Sequence, residues 1–126
     1  MSMNQYTIQQ FIVDAFTDTV FKGKPAAVCL LDKWLSDDTL QNIAKENNLS
    51  ETAFTVKNGD HYELRWFTPG GEIDLCGHAT LATAFVLFQF KEIEAEKLTF
   101  ATQSGELVVT RKADYYELNF PAYAMQ

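Results

Sequence analysis

The stretch LCGHATLATAFVLFQF, residues 75–90, decides the fold of this chain. From about Gly77 onward it predicts a helix, because alanine and leucine favour helix and no proline interrupts the run. Its apolar residues lie on every face of the predicted helix, and a helix that is apolar on every face is buried on all sides. It is too short and too interrupted at its start to span a bilayer, which needs about 20 apolar residues. We therefore predict a helix in the middle of a soluble domain, wrapped by a sheet.

The polar end of this stretch indicates a binding site. Cys76, Gly77 and His78 lie where the first helical turn should begin. The start of a helix carries N–H groups without an intrahelical partner and a partial positive charge, so it attracts carboxylates and phosphates. A glycine there lets a ligand approach the backbone closely. The sequence thus predicts an anion site; the alternative is a histidine that simply caps a turn.

Composition limits the classes of function. A chain of 126 residues, 47% of them hydrophobic, is enough for one domain with one core. The net charge of −7 argues against nucleic acid or an anionic membrane as partner, but it leaves a small acidic substrate possible. The first residues show no signal peptide, and the two cysteines have neither metal-ligand spacing nor the pattern of a disulfide scaffold. A reducing cytoplasm is the expected compartment.

The rest of the chain predicts a mostly antiparallel α+β domain with roughly seven strands, one covering helix and the buried helix. Ser36 is a good N-cap for a helix over Asp37–Asn47, and Asn58-Gly59 is a strong hairpin signal. Asp74 is a second possible cap, before the buried helix. Residues 15–24 form a predicted loop. Strands are predicted over residues 6–14, 25–31, 52–56, 61–67, 98–102, 106–111 and 115–120, with a further short strand over residues 72–75.

Taken one at a time, most reactive side chains have ordinary interpretations. Cys29 lies inside a strand and is interpreted as a small buried hydrophobe. His61 falls on the polar face of an alternating strand and is interpreted as a solvated histidine. Glu51 enters a strand from a loop without a basic neighbour in that loop, and a lone glutamate usually faces solvent.

Several blocks of the sequence together carry a resemblance. LSETAF at 49–54, LRWFTP at 64–69 and DLCGHAT at 74–80 follow in this order, after DAFT at 14–17 and GKPAAV at 23–28. They resemble the phenazine-biosynthesis PhzF-like isomerase family, which shares the diaminopimelate epimerase-like fold. Lys24 departs from the asparagine that the family usually has. The resemblance implies a sheet rolled around a central helix.

The resemblance covers one lobe. Members of this family have two lobes with the active site in the cleft between them, and residues 1–126 resemble the first, N-terminal lobe as a single domain. The acid and the serine that the family contributes from its second lobe have no counterpart here. The chain is therefore expected to be either a fragment or a half-length protein.

The resemblance also assigns roles. It implies that Glu51 is the general acid/base that moves a proton between carbons of a small carboxylate substrate. It makes His78 the catalytic histidine that holds and polarises this substrate. Cys76, Gly77 and His78 would form the substrate-binding helix start. No metal and no organic cofactor are expected, since the sequence shows neither a metal-ligand cluster nor a phosphate-loop glycine pattern.

Two other functions stay open. Cys76, whose thiol pKa a helix start should lower, would serve a cysteine-dependent epimerase or racemase. Alternatively, the chain is a non-catalytic half-site or assembly module. A homodimer of two copies would also complete the cleft, and a monomer at micromolar concentration would count against that arrangement.

Overall fold

The computed structural model describes residues 8–13, 25–113 and 115–119 of the chain. The predicted loop over residues 15–24, the blocks at 14–17 and 23–24, and the ends of the first and last predicted strands lie outside these ranges. The described residues form eight strands and two helices. In chain order they are β1 (Gln9–Val13), β2 (Ala26–Leu31), α1 (Asp37–Asn47), β3 (Glu51–Asn58), β4 (His61–Thr68), β5 (Gly71–Ile73), α2 (Gly77–Phe90), β6 (Lys97–Thr102), β7 (Gly105–Arg111) and β8 (Tyr116–Asn119).

The strands form one mixed sheet in the order β1-β2-β3-β4-β6-β7-β8, with β5 also paired to β4. Five strand pairs are antiparallel, and two, β2–β3 and β4–β6, are parallel. Parallel neighbours need a crossover connection, which α1 supplies between β2 and β3 and α2 supplies between β5 and β6. Because α2 contacts β2, β3 and β8, the sheet curls around it as a half-barrel. The predicted α+β lobe, a mostly antiparallel sheet around a central helix, is confirmed.

The helix α2 is the centre of the core. One side of it packs on β4, β6 and β7 through Leu87 and Phe88. Another side packs on β2 through Ala82 and Val86. Each of these four side chains is only 1% exposed. The apolar sequence of α2 is therefore used on more than one face, as a helix wrapped by sheet requires.

The prediction that this helix is buried on all sides is wrong at two positions. Phe85 is 37% and Phe90 is 55% exposed. Phe90 stacks on Phe11 of β1 with the ring centroids 4.9 Å apart, and Phe85 lies 6.3 Å from the ring of Tyr116 in β8. Since β1 and β8 are the two ends of the described sheet and do not pair with each other, the described strands leave one side of α2 open between them.

The covering helix α1 has the predicted ends. The Ser36 side chain accepts a hydrogen bond from the Thr39 backbone N–H at 3.2 Å, which is an N-cap interaction. The helix stops at Asn48, which has the left-handed backbone conformation with φ of 51°. Leu40 and Ala44 are fully buried against the sheet. No helix in the described ranges is long and apolar enough to cross a membrane.

The hairpin predicted from Asn58-Gly59 is confirmed, since β3 and β4 pair antiparallel. Its two-residue loop is Gly59-Asp60, because Asn58 pairs with His61. Gly59 has a φ of 69°, and Asp60 has no positive φ, which fits a turn that requires glycine at its first central position. The strand predicted over residues 72–75 is Gly71–Ile73, and Cys76 rather than Asp74 is the N-cap of α2.

Just after the C-terminal end of α2, the carboxylate of Glu92 accepts hydrogen bonds from two strands. Glu92 accepts hydrogen bonds from the Tyr62 hydroxyl at 2.7 Å and from Lys57 Nζ at 3.1 Å. The bond from Tyr62, followed by that from Lys57, lowers the pKa of Glu92 below its usual value. The ionised carboxylate is thus stabilised in the folded state more than in the unfolded chain.

Replacing Glu92 by glutamine is expected to lower the free energy of unfolding at pH 7 by about 1–2 kcal/mol, since a charge-assisted hydrogen bond is lost. The folded pKa is depressed, so the stabilisation is present above the unfolded pKa and disappears as the pH falls through the folded one. Urea unfolding at pH 7 and at pH 3 should show the difference shrinking. Glu94→Gln, at an exposed position two residues further on, is the control. An equal loss at both pH values would contradict the assignment.

Candidate active site

The register of the sheet brings the start of β3 beside the start of α2. Ala53 of β3 pairs with Trp66 of β4, and Trp66 pairs in turn with Ile73 of β5. After β5 the chain turns directly into α2. The first turn of α2 therefore lies next to the first residues of β3, although the two segments are far apart in sequence.

Glu51 and His78 meet at this junction. Glu51 is the first residue of β3, and its Oε1 lies 3.2 Å from Nε2 of His78 in the first turn of α2. The side chains are 18% and 10% exposed, respectively. The two atoms touch without the alignment of a hydrogen bond. A carboxylate and an imidazole held this close, largely shielded from water, are suited to proton transfer. The expectation that an isolated glutamate faces solvent is wrong here.

The start of α2 is the place where the sequence predicts an anion site. Its N-cap, Cys76, forms no side-chain capping hydrogen bond, and the helical pattern begins with the Thr80 N–H donating to the Cys76 carbonyl at 3.1 Å. Gly77 follows as the first helical residue. A Cβ built on Gly77 would meet only the Leu118 side chain, at an ordinary contact distance of 3.7 Å. The packing of the described residues therefore does not itself require glycine at this position.

The pKa of the Cys76 thiol is shifted in the direction opposite to the prediction. Burial raises its pKa most strongly, and the nearby Glu51 carboxylate raises it further. The backbone N–H groups of Ala79 and His78 oppose this, as a helix start should, but they do not outweigh burial. The expected lowering of the Cys76 pKa is therefore wrong, and the thiol is held in its protonated form.

Three residues of types that ligate metals, Glu51, Cys76 and His78, lie close to one another at the start of α2. One donor atom each from Glu51, Cys76 and His78 lies within 4.8 Å of the other two, and Cys76 Sγ is 3.8 Å from His78 Nδ1. The sequence showed no metal-ligand cluster because the carboxylate and the other two ligands belong to separate segments. All the predicted site residues, Gly77 included, thus come together.

One residue that supports this site, Thr80, was missed by the sequence analysis. Thr80 is fully buried, and its hydroxyl donates to the Cys76 carbonyl at 2.8 Å, which holds the backbone at the entry to the helix. A threonine four residues after a helix N-cap inside an apolar run was the available signal.

The two remaining reactive side chains have the ordinary roles that were predicted. Cys29 is fully buried in β2, where burial raises its pKa to about 12. His61 is partly exposed at the start of β4, 3.3 Å from the Asp60 carboxylate. Neither belongs to the cluster at the start of α2.

Comparison with known proteins adds the following. A family model described as phenazine biosynthesis-like protein matches residues 13–123. An uncharacterised isomerase of Pseudomonas aeruginosa is 60% identical over 112 residues, which are 89% of this chain and 43% of the relative. Phenazine biosynthesis-like domain-containing protein 2 of Mus musculus is 53% identical over 121 residues, covering 90% of this chain and 42% of the relative.

Solved structures agree in fold. A PhzF family protein from Enterococcus faecalis aligns with a TM-score of 0.79 at 65% identity, over 85% of this chain and 41% of that one. A protein described as a predicted epimerase from Pseudomonas aeruginosa aligns with a TM-score of 0.70 over 87% of this chain and 41% of that one. At 20% identity the second likeness shows the fold alone. The chain spans about two fifths of the length of all these relatives.

Proposed function

Because the chain belongs to the phenazine biosynthesis-like protein family, some of whose relatives are named isomerases, we propose that it is one lobe of an isomerase. The reaction is the relocation of a proton between two carbons of a small carboxylate substrate. The observation that carries the proposal is the 3.2 Å contact between Glu51 and His78 beside the start of α2. This contact combines a proton acceptor, a polarising group and an anion-binding element in one place.

Glu51 is the general acid/base in this proposal. Its carboxylate takes a proton from one carbon and returns it to another, so no net proton is consumed. Its position at the start of a strand inside the sheet, paired with Ala26 of β2, fixes its backbone. General acid–base catalysis requires such positioning within hydrogen-bond reach of the substrate.

The start of α2 is the proposed binding element. The partial positive charge of the helix start attracts the substrate carboxylate, and glycine at position 77 leaves room for it against the backbone. His78, next in the chain, holds and polarises the substrate while its ring faces Glu51. A carboxylate bound here would place the adjoining carbon next to Glu51. Cys76 lines the same position as a neutral thiol.

A thiol mechanism is less well supported. An epimerase of that kind uses two acid/base thiols, and the second would have to come from the missing lobe, because Cys29 is fully buried in β2. In the described residues, burial also raises the pKa of Cys76. The reducing cytoplasm that we propose as the compartment would keep both as thiols.

The second half of the site must come from another lobe. The family resemblance implies an acid and a serine from that lobe, which either a longer chain or a second copy of this chain would supply. We propose the homodimer as the arrangement for a half-length protein. A molar mass of two chains by light scattering would support it, and a monomer would assign the missing lobe to a longer chain.

Replacing Gly77 by alanine tests the binding element. The variant should fold and be as stable as wild type, or more stable by up to about 1 kcal/mol, because alanine favours helix and the nearest atom is 3.7 Å away. Its affinity for succinate, used as a carboxylate probe and followed by NMR shifts of the backbone amides of α2, should fall at least tenfold.

Gly70→Ala is the matched control, since its Cβ also meets its nearest atom at 3.7 Å and the residue lies in the turn between β4 and β5. This variant should bind succinate like wild type. Unchanged succinate affinity in Gly77→Ala would contradict the proposed binding element.

A further inference from the structure

The cluster of Glu51, Cys76 and His78 has a donor set that proton transfer alone does not need. It combines a carboxylate oxygen, a thiol sulfur and an imidazole nitrogen, and these three atoms lie within 4.8 Å of one another. Proton relocation uses the first and the third. The thiol, which the proposed reaction leaves unused, completes a set of ligands that is typical of zinc in proteins.

The spacing fits a tetrahedral cation. Bond lengths of about 2.0–2.3 Å to zinc place neighbouring ligand atoms roughly 3.3–3.7 Å apart. The observed distance from Glu51 Oε1 to His78 Nε2 is 3.2 Å. Cys76 Sγ lies 3.8 Å from the other ring nitrogen of His78, Nδ1, and one donor atom from each residue lies within 4.8 Å of the other two. The thiol side chain must therefore rotate for Glu51, Cys76 and His78 to share one cation.

The charge balance also fits a buried position. A thiolate and a carboxylate together neutralise a divalent cation, and a neutral imidazole adds no charge, so the occupied site carries no net charge. Neutral assemblies cost least when they are taken out of water. The His78 side chain is only 10% exposed, which makes this balance important.

We propose that Glu51, Cys76 and His78 bind a zinc-class divalent cation through one ligand each, with a fourth position open. Binding displaces the thiol proton of Cys76 to solvent, so the protein exchanges one proton for the cation. The bound cation occupies the carboxylate oxygen of Glu51 and the ring nitrogen of His78. Given the proposed function, on which this consequence rests, the cation blocks the acid/base pair and regulates the site as an inhibitor.

Titration of the reduced protein with Co²⁺ tests the site without any substrate. One equivalent should produce a thiolate-to-cobalt charge-transfer band in the near ultraviolet together with the intense visible bands of a tetrahedral ion. Cys76→Ser should lose the charge-transfer band. Glu51→Gln and His78→Ala should each weaken the affinity for Co²⁺ at least tenfold. Cys29→Ser removes the other thiol and should leave the titration unchanged.

Absence of the charge-transfer band in wild type, or its persistence in Cys76→Ser, would overturn the inference. Unchanged affinity in both Glu51→Gln and His78→Ala would do so as well. The ligands come from two segments. If one variant does not fold, the other variants still test the metal site. A failed Co²⁺ titration leaves the proposed proton transfer standing. If wild type gives the expected Co²⁺ titration but Glu51→Gln keeps full turnover, the proposed function is wrong and the metal site stands.

Discussion

Replacing Glu51 by glutamine is expected to slow proton relocation on the substrate by about a hundredfold to ten-thousandfold, the range that a general acid/base contributes. Glutamine keeps the shape of the side chain and its contact with His78, but it cannot take up and return a proton. The loss should therefore appear in kcat, with KM changed little. The measurement is the steady-state rate of the variant against wild type, on an acid that wild type isomerises.

The control for this prediction is Cys76→Ala. The thiol is protonated through burial and lies beside the acid/base pair rather than between its members, so its loss should change kcat only a few-fold. The reverse pattern, with Glu51→Gln active and Cys76→Ala inactive, would favour the cysteine-dependent epimerase. Both variants inactive in binding as well as in turnover would indicate a damaged fold.

The largest effect on stability is expected from Phe88→Ala. The Phe88 ring is 1% exposed, packs 5.3 Å from the ring of Tyr116 and carries the Arg111 guanidinium at 4.5 Å. Removing a buried phenylalanine costs about 3–5 kcal/mol through lost burial and the cavity left behind. The lost cation–π contact adds to this. A domain of this size has only about 5–15 kcal/mol of stability in total.

Urea unfolding checks this value. Phe90→Ala, a phenylalanine on the same helix that is 55% exposed, is the matched control and should lose about 1 kcal/mol or less. Equal losses at the two positions would mean that the open side of α2 is covered in solution. A small loss at Phe88 alone would contradict the placement of this helix at the centre of the core.

The sequence predicted those features of the fold that depend on local chemistry. α1 was predicted over Asp37–Asn47 because its caps, Ser36 and Asn48, act within a few residues. The start of α2 at Gly77 was predicted because alanine and leucine favour helix and no proline interrupts the run. The open side of α2 was not predicted, because it depends on how far the sheet curls around the helix. The sequence of the helix does not determine this curvature.

The candidate site shows the same division. The anion site at the start of α2 was predicted from Gly77 and His78 alone, since any helix start carries unpaired N–H groups and a partial positive charge, and it stays a prediction. Glu51 was singled out only through the family resemblance, because its proximity to His78 depends on the pairing of β3, β4 and β5. The pKa of Cys76 was predicted in the wrong direction, since burial by distant segments is stronger than the local helix start.

Deuterium incorporation in D₂O tests directly whether Glu51 moves a proton between carbons of a bound carboxylate. The chain is incubated with a panel of small carboxylic acids, and the acids are analysed by mass spectrometry and NMR. We predict that deuterium enters a carbon position of at least one acid with wild type, and that Glu51→Gln abolishes the labelling. The claim would be contradicted if none of the acids that bind saturably at the start of α2 becomes labelled, or if Glu51→Gln labels an acid at the wild-type rate.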